Sequence, residues 1–163
     1  MVGASVVELR LDDLRGETIV AFLHEHLADM YASSPPESVH ALDLGALRQP
    51  DITFWSAWRD QELVGCGALK ALDATHGEIK SMRVKASARG TGVADLVLRR
   101  IIDSACARGM HRLSLETGVQ DFFAPARRLY QRHGFTVCGP FNGYWNDPNS
   151  VFMTRRIDGA PLT

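Results

Sequence analysis

Apolar positions along the 163-residue chain change period several times, and each change marks an element. Val93, Val97, Ile101 and Ala105 recur at helical spacing, with Ala94, Leu98 and Ile102 beside them. This predicts an amphipathic helix from about Val93 to Arg108. Arg108 in the last turn and Gly109 just past it suit a helix stop. Residues from about Glu17 to Tyr31 predict another helix, with Ile19, Leu23, Leu27 and Met30 on one face. Pro35 and Pro36 cannot continue it, and Ser34 before them is pushed toward extended geometry. Ser38 is placed to cap a short second helix through Leu47, and Ala124 to His133 reads as a helix that stops at Gly134. Strands are expected at Val6 to Leu11, Gly77 to Val84, Arg112 to Glu116, Phe135 to Cys138 and Ser150 to Ile157. Ile52 to Trp58 and Leu63 to Leu69 read as a hairpin around Asp60-Gln61, with the Gly77–Val84 strand beside them. A turn-rich loop, GPFNGYWNDPN, joins the last two strands. The order β-α-α-β-β-β-α-β-α-β-β describes a mixed α/β domain.

The most informative stretch lies between the Gly77–Val84 strand and the helix that begins at Val93. It is a small, polar turn, KASARGTG, in which Arg89, Gly90 and Gly92 precede the helix. Backbone N–H groups at a helix N-terminus are unpaired and carry roughly half a positive charge, so they favour a phosphate or pyrophosphate. Glycine lets the backbone approach an anion that a side chain would block. Two other readings fit a glycine-rich turn. It serves as a tight connection and nothing more, or as a dinucleotide-binding G-x-G-x-x-G turn. In the second, the third glycine falls at Asp95, and several polar residues separate the strand from the first glycine; Glu116 does lie at a tolerable distance for a ribose-binding acid.

Arg89-Gly90-Thr91-Gly92-Val93-Ala94 fits the pattern Gln/Arg-x-x-Gly-x-Gly/Ala and resembles the acyl-CoA-binding signature of the GNAT family of N-acetyltransferases. Ala126-Arg-Arg-Leu-Tyr130-Gln-Arg-His-Gly134-Phe135 is similar to that family's A-x-x-L-Y-x-x-x-G-F segment. The two motifs stand in register, and the resemblance covers most of the chain from Ile52 onward. It implies one domain over residues 1–163, with a mixed, mostly antiparallel central sheet flanked by helices. It also implies acetyl transfer from acetyl-CoA to a primary amine by direct attack in a ternary complex. The hexamer Arg89 to Ala94 would hold the pyrophosphate. The main chain of Met82, Arg83 and Val84 would pair with the pantetheine arm and help stabilise the oxyanion. One position departs from the family: Phe123 stands where many members carry an asparagine that contacts the cofactor arm. A catalytically silent acyl-CoA sensor would share the turn, whereas Glu78 and Tyr130 matter only to an enzyme. A homodimer is compatible with the resemblance.

Acetyl transfer requires a neutral amine, a stabilised oxyanion and a proton for the leaving thiolate. A lysine-like amine has a pKa near ~10.4, so presenting it neutral at pH 7 costs on the order of 4–5 kcal/mol. By resemblance, Glu78 occupies the place of a catalytic glutamate; the alternative is a solvated carboxylate at a strand end. Tyr130 matches the tyrosine that protonates the departing sulfur; the alternative is a tyrosine packing one helix face. The acceptor groove implied by the family draws on the first two helices with their SPPESVH junction, on Glu116, and on the loop around Asn142, Tyr144 and Asp147. Carboxylates at Glu25, Asp29, Glu37 and Glu116 would favour a cationic amine. Small amine, amino acid, antibiotic and protein lysine all fit.

Composition narrows the rest. With 45% hydrophobic and 23% charged residues the chain is ordinary for a globular protein, and a net charge of -1 argues against nucleic-acid binding. The N-terminus lacks a secretory pattern and no apolar run approaches membrane-spanning length, so a cytoplasmic protein is expected. Cys66, Cys106 and Cys138 suit reduced thiols, and Cys66 has no histidine beside it in sequence to make it a nucleophile. His24 and His26 diverge on a helix, and His40, His76, His111 and His133 show no ligand spacing, so no metal is expected. Trp55, Trp58 and Trp145 read as packing residues.

Overall fold

A computed structural model of the protein describes residues 6–38 and 44–158. One sheet contains β1 (Glu8–Leu11), β2 (Ile52–Arg59), β3 (Glu62–Ala71), β4 (His76–Val84), β5 (Arg112–Gly118), β6 (Thr136–Cys138) and β7 (Ser150–Arg156). Their spatial order is β1-β2-β3-β4-β5-β7-β6. The α-helices are α1 (Glu17–Ser33), α2 (Leu44–Leu47), α3 (Val93–Ala107) and α4 (Ala124–Arg132). Neighbouring strands pair antiparallel except β4 and β5, which run parallel. The element order and the mixed, mostly antiparallel sheet are those expected. The helix expected from Ser38 through Leu47 is broken up: Pro36–Ser38 forms a 3-10 turn, α2 starts at Leu44, and residues 39–43 lie outside the described residues. Helix α1 ends where the prolines require, with Ser34 extended at φ −144° and ψ 151°.

Alternation along β3 divides the core between the two sheet faces. On one face, Val93, Val97, Leu98, Ile101, Ile102 and Ala105 of α3 are buried with Val64, Leu69, Ile79 and Leu113. Each valine, leucine or isoleucine among them contributes about 1.5–3 kcal/mol when fully buried. On the other, Ile19, Phe22 and Leu23 of α1 meet Phe54, Leu63, Cys66 and Ala68. Gly65 and Gly67 let α3 lie close to the sheet. A Cβ on Gly67 would stand 2.6 Å from both Met82 Sδ and Val97 Cγ1, and one on Gly65 would stand 2.8 Å from Val93 Cγ1. In Gly65-Cys66-Gly67, then, the glycines carry the meaning. Cys66 is fully buried, donates to Ser81 O at 3.2 Å, and has its thiol pushed up to about 12 by desolvation. That leaves no thiolate for nucleophilic chemistry.

Two irregularities open the sheet. β4 and β5 pair only through His76↔Arg112, Gly77↔Leu113 and Glu78↔Ser114, after which they separate. β4 then bulges: Ala68 pairs with Lys80 and Cys66 with Arg83, so Gly67 faces both Ser81 and Met82. Ser81 takes up the extra residue in a left-handed conformation, φ 58°. Beyond Glu78, among the described residues, β4 has no strand partner on the side facing β5.

Candidate active site

The gap between β4 and β5 is a cavity of about 580 Å³. It is lined by the bulged end of β4, the turn into α3, β5 and one face of α4, with His26 and Met30 of α1 at its side. Of the residues expected to hold a cofactor, Met82, Arg83, Val84, Arg89, Gly90, Gly92, Val93 and Ala94 all line it. Thr91 does not: its hydroxyl turns back to donate to Ala88 O at 2.5 Å. Gly90 and Gly92 are left-handed, at φ 75° and 89°, and Gly92 is the N-cap of α3. A Cβ on either would meet nothing within 4 Å among the described residues, so the space beside both glycines is open. Glycine is needed there for the backbone conformation, beyond the close approach expected from sequence. Arg128 and Arg132, one turn apart on α4, line the same cavity.

The side chain of Arg83 has a different task. It leaves the cavity wall and donates to Asp29 Oδ2 at 2.7 Å, with Glu25 Oε1 at 3.9 Å and the Phe22 ring centroid 5.2 Å from the guanidinium. Arg83 thereby fastens α1 to the β4 bulge and occupies two of the carboxylates considered for amine recognition. His26 beside it is pushed down to about 4 by burial and by the Arg83 charge, so its imidazole is neutral at pH 7.

Glu78 is not the solvated strand-end carboxylate considered from sequence; it is 1% exposed. Its Oε2 accepts from Lys80 Nζ at 3.0 Å and from Tyr144 OH at 2.5 Å, and Lys80 also donates to Tyr144 OH at 3.0 Å. Burial and the Glu78 charge push the Tyr144 phenol far above its ordinary value. Tyr144 is bonded to Glu78 and is not among the residues that line the cavity. Glu116, on β5, does line the cavity, and burial pushes its carboxyl up to about 7. Ser150 and Lys80 oppose that rise, while Glu78 and Asp147 add to it.

Tyr130 lines the cavity and is 5% exposed, packing edge-on against Phe135 at 5.9 Å between centroids. Burial, with the Glu116 charge, pushes its phenol far up, so its proton stays on at any working pH. Phe122 and Phe123 make an apolar wall at the foot of α4, edge-to-face at 4.9 Å. Trp145 departs from expectation. At 51% exposed, it is not the packing residue expected from sequence.

Sequence reasoning missed Lys80, His26, Arg128 and Arg132. Lys80 was legible, because residues two apart on a strand share a face and Glu78 is two away. The i,i+4 spacing of Arg128 and Arg132 was equally legible. His26 left no signal, since its place depends on how α1 crosses the bulge. Among the described residues no cluster of His, Cys, Asp and Glu is arranged to hold a metal ion, and no helix is long and apolar enough to cross a membrane.

Residues 19–135 match the profile of the Acetyltransferase (GNAT) family. The chain is 56% identical over 151 residues to YsnE of Bacillus subtilis (strain 168), an uncharacterized N-acetyltransferase, covering 93% of this chain and 100% of that protein. It is 48% identical over 149 residues to another uncharacterized N-acetyltransferase, YedL of Escherichia coli (strain K12), covering 91% and 94%. A solved structure from Klebsiella pneumoniae, described as a candidate acyl-CoA N-acyltransferase, superposes with a TM-score of 0.77 at 24% identity over 93% of this chain and 98% of that one. That likeness carries the fold, and the sequence matches carry the activity class. The cavity is therefore the candidate active site of an acetyltransferase, and the chain belongs to the GNAT family.

Proposed function

We propose that the protein transfers an acetyl group from acetyl-CoA to a primary amine, by direct attack within a ternary complex. The observation that carries this reading is the meeting of an unpaired strand edge and a glycine-rich helix N-terminus in one cavity. The residues present fit the cosubstrate. The N-terminus of α3, open beside Gly90 and Gly92, suits the pyrophosphate, with Arg89, Arg128 and Arg132 nearby for its charge. The freed main chain of Met82 to Val84 suits the amide-bearing arm, as an added strand would pair. Phe122 and Phe123 replace a polar contact with apolar surface along that arm. When bound, the thioester supplies an acyl carbon open to attack by nitrogen.

The chain's own residues supply the remaining chemistry. A carboxylate of the cavity, Glu78 or Glu116, takes the ammonium proton. Backbone N–H groups along the parted β4 edge stabilise developing negative charge on oxygen. Tyr130 holds a proton for the leaving sulfur, and the burial that raises its own pKa raises the proton affinity of a thiolate beside it too. The charged groups that line the cavity at Glu78 and Lys80 favour a small acyl group over a long apolar one. Acetyl-CoA at about 100 times its Kd should stabilise the fold by roughly 2.7 kcal/mol, while NADH gives no shift. Release of CoA thiol across a panel of amines then identifies the acceptor. Stabilisation by NADH and not by CoA would defeat the assignment.

A further inference from the structure

We infer that the acceptor is a monoamine with an uncharged, apolar substituent, and that this substituent sits in a second cavity between α1, α2 and the β4 bulge. This rests on amine acetylation as the function. The second cavity measures about 300 Å³, at the small end of the range for small-molecule sites. It meets the first at His26 and Ser81, which line both. Leu23 and Leu27 of α1 and Leu44 and Leu47 of α2 line it, and Ser81, His24 and His26 are its polar side chains. Among the described residues, no lysine, arginine, aspartate or glutamate lines it. Leu23 and Leu47 belong to the buried cluster on this face of the sheet, with Leu44 packed against it, so packing fixes these walls.

The placement of charge in the first cavity agrees. Carboxylates at Glu25, Asp29, Glu37 and Glu116 would favour a cationic amine, yet only Glu116 of the four lines either cavity. Asp29 and Glu25 face Arg83 instead, at 2.7 and 3.9 Å. The α1 side chains that reach the first cavity are His26 and Met30, and burial, with the Arg83 charge, keeps the His26 imidazole neutral at pH 7. The Lys80 ammonium is matched by Glu78. The reacting nitrogen therefore meets the cavity's carboxylates, while beyond Ser81 and His26 no charged side chain among the described residues is in place to compensate a second charge. A buried charge without a partner is costly, whereas a hydrocarbon gains free energy on leaving water. An amine with a hydrocarbon at its far end satisfies both cavities at once.

Steady-state acetylation of a graded amine series is the test. From ethylamine through propylamine to pentylamine, kcat/KM should rise roughly fourfold per added CH₂, equivalent to about 0.8 kcal/mol. Cadaverine and δ-aminovalerate carry a charge at the far end of a similar chain, and should fall below pentylamine by roughly 10²-fold or more. Leu27→Trp, which fills the second cavity from α1, should bring pentylamine down toward ethylamine, and Leu44→Trp should do the same from α2. Calorimetry with CoA identifies the variants that have kept the fold. A wild-type series that is flat with chain length, or one in which cadaverine or δ-aminovalerate outperforms pentylamine, overturns the proposal. So do folded tryptophan variants that keep the wild-type slope. A wild-type protein that acetylates no amine overturns the functional reading instead, and the proposal with it.

Discussion

Gly92→Ala separates backbone strain from ligand contact, provided a second glycine serves as its control. Gly92 and Gly109 flank α3 at φ 89° and φ 78°, and a Cβ at either meets nothing within 4 Å among the described residues. Alanine at each site therefore incurs the same kind of cost, the left-handed conformation, at about 1–2 kcal/mol and with no clash. Reduced freedom of the unfolded chain returns about 0.4–1 kcal/mol, so each variant should lose on the order of 1 kcal/mol. For a domain of this size that is roughly 2–4 °C in Tm. The two sites differ in what lies outside them: Gly92 lines the cavity, and Gly109 follows the far end of the helix. Calorimetry with CoA should show Gly92→Ala weakened tenfold or more, equivalent to about 1.4 kcal/mol, and Gly109→Ala unchanged. If both variants bind CoA as the wild type does, while melting lower as expected, the phosphates do not lie at the N-terminus of α3.

Tyr130→Phe keeps the packing against Phe135 and removes a proton, so single-turnover acetylation should fall about 10²-fold while CoA affinity changes little; loss of both in step would make Tyr130 a cofactor contact. Glu116 has a folded pKa of about 7 against an ordinary 4.5, so its stabilising contribution is complete below 4.5 and is lost as pH rises through 7. Thermal melts should then show Glu116→Gln gaining on the wild type from pH 5 to pH 9, by up to about 3 kcal/mol, and a constant difference would contradict the burial argument. Cys66, fully buried with its thiol at about 12, should resist alkylation in the native protein while exposed Cys106 reacts, as peptide mass analysis would show.

Local features of this chain were legible before the fold was known, and contacts made across the sheet were not. The periods of α3 and α4 and the paired prolines after α1 specify conformation through neighbours in sequence, so their boundaries came out within a residue or two. The turn Arg89 to Ala94 was legible for the same reason, down to the two glycines. That the Thr91 hydroxyl turns back to Ala88 O was not legible, because nothing in the hexamer says which way a hydroxyl points. The standing of Glu78 depends on Tyr144, 66 residues away, and that of Arg83 on Asp29, 54 away. No period or motif encodes such a meeting. The bulge at Ser81 was equally invisible, since serine has no preference for φ 58° and the strain is imposed by the strands around it.

The parting of β4 from β5 leaves a naked strand edge in the middle of the sheet. Unpaired edges invite other chains to add on, and proteins blunt them by shortening or charging the outermost strands. Here the outermost strands are β1, with 4 residues including Glu8 and Arg10, and β6, with 3. The long adhesive edge that an extended ligand could use sits instead in a cleft walled by α3 and α4. A slender cosubstrate arm can enter there, and another protein's strand, with its sheet behind it, cannot. By placing its recognition edge at the centre of the sheet, the fold keeps strand-pairing chemistry available to a small molecule while withholding it from neighbouring copies of the same chain.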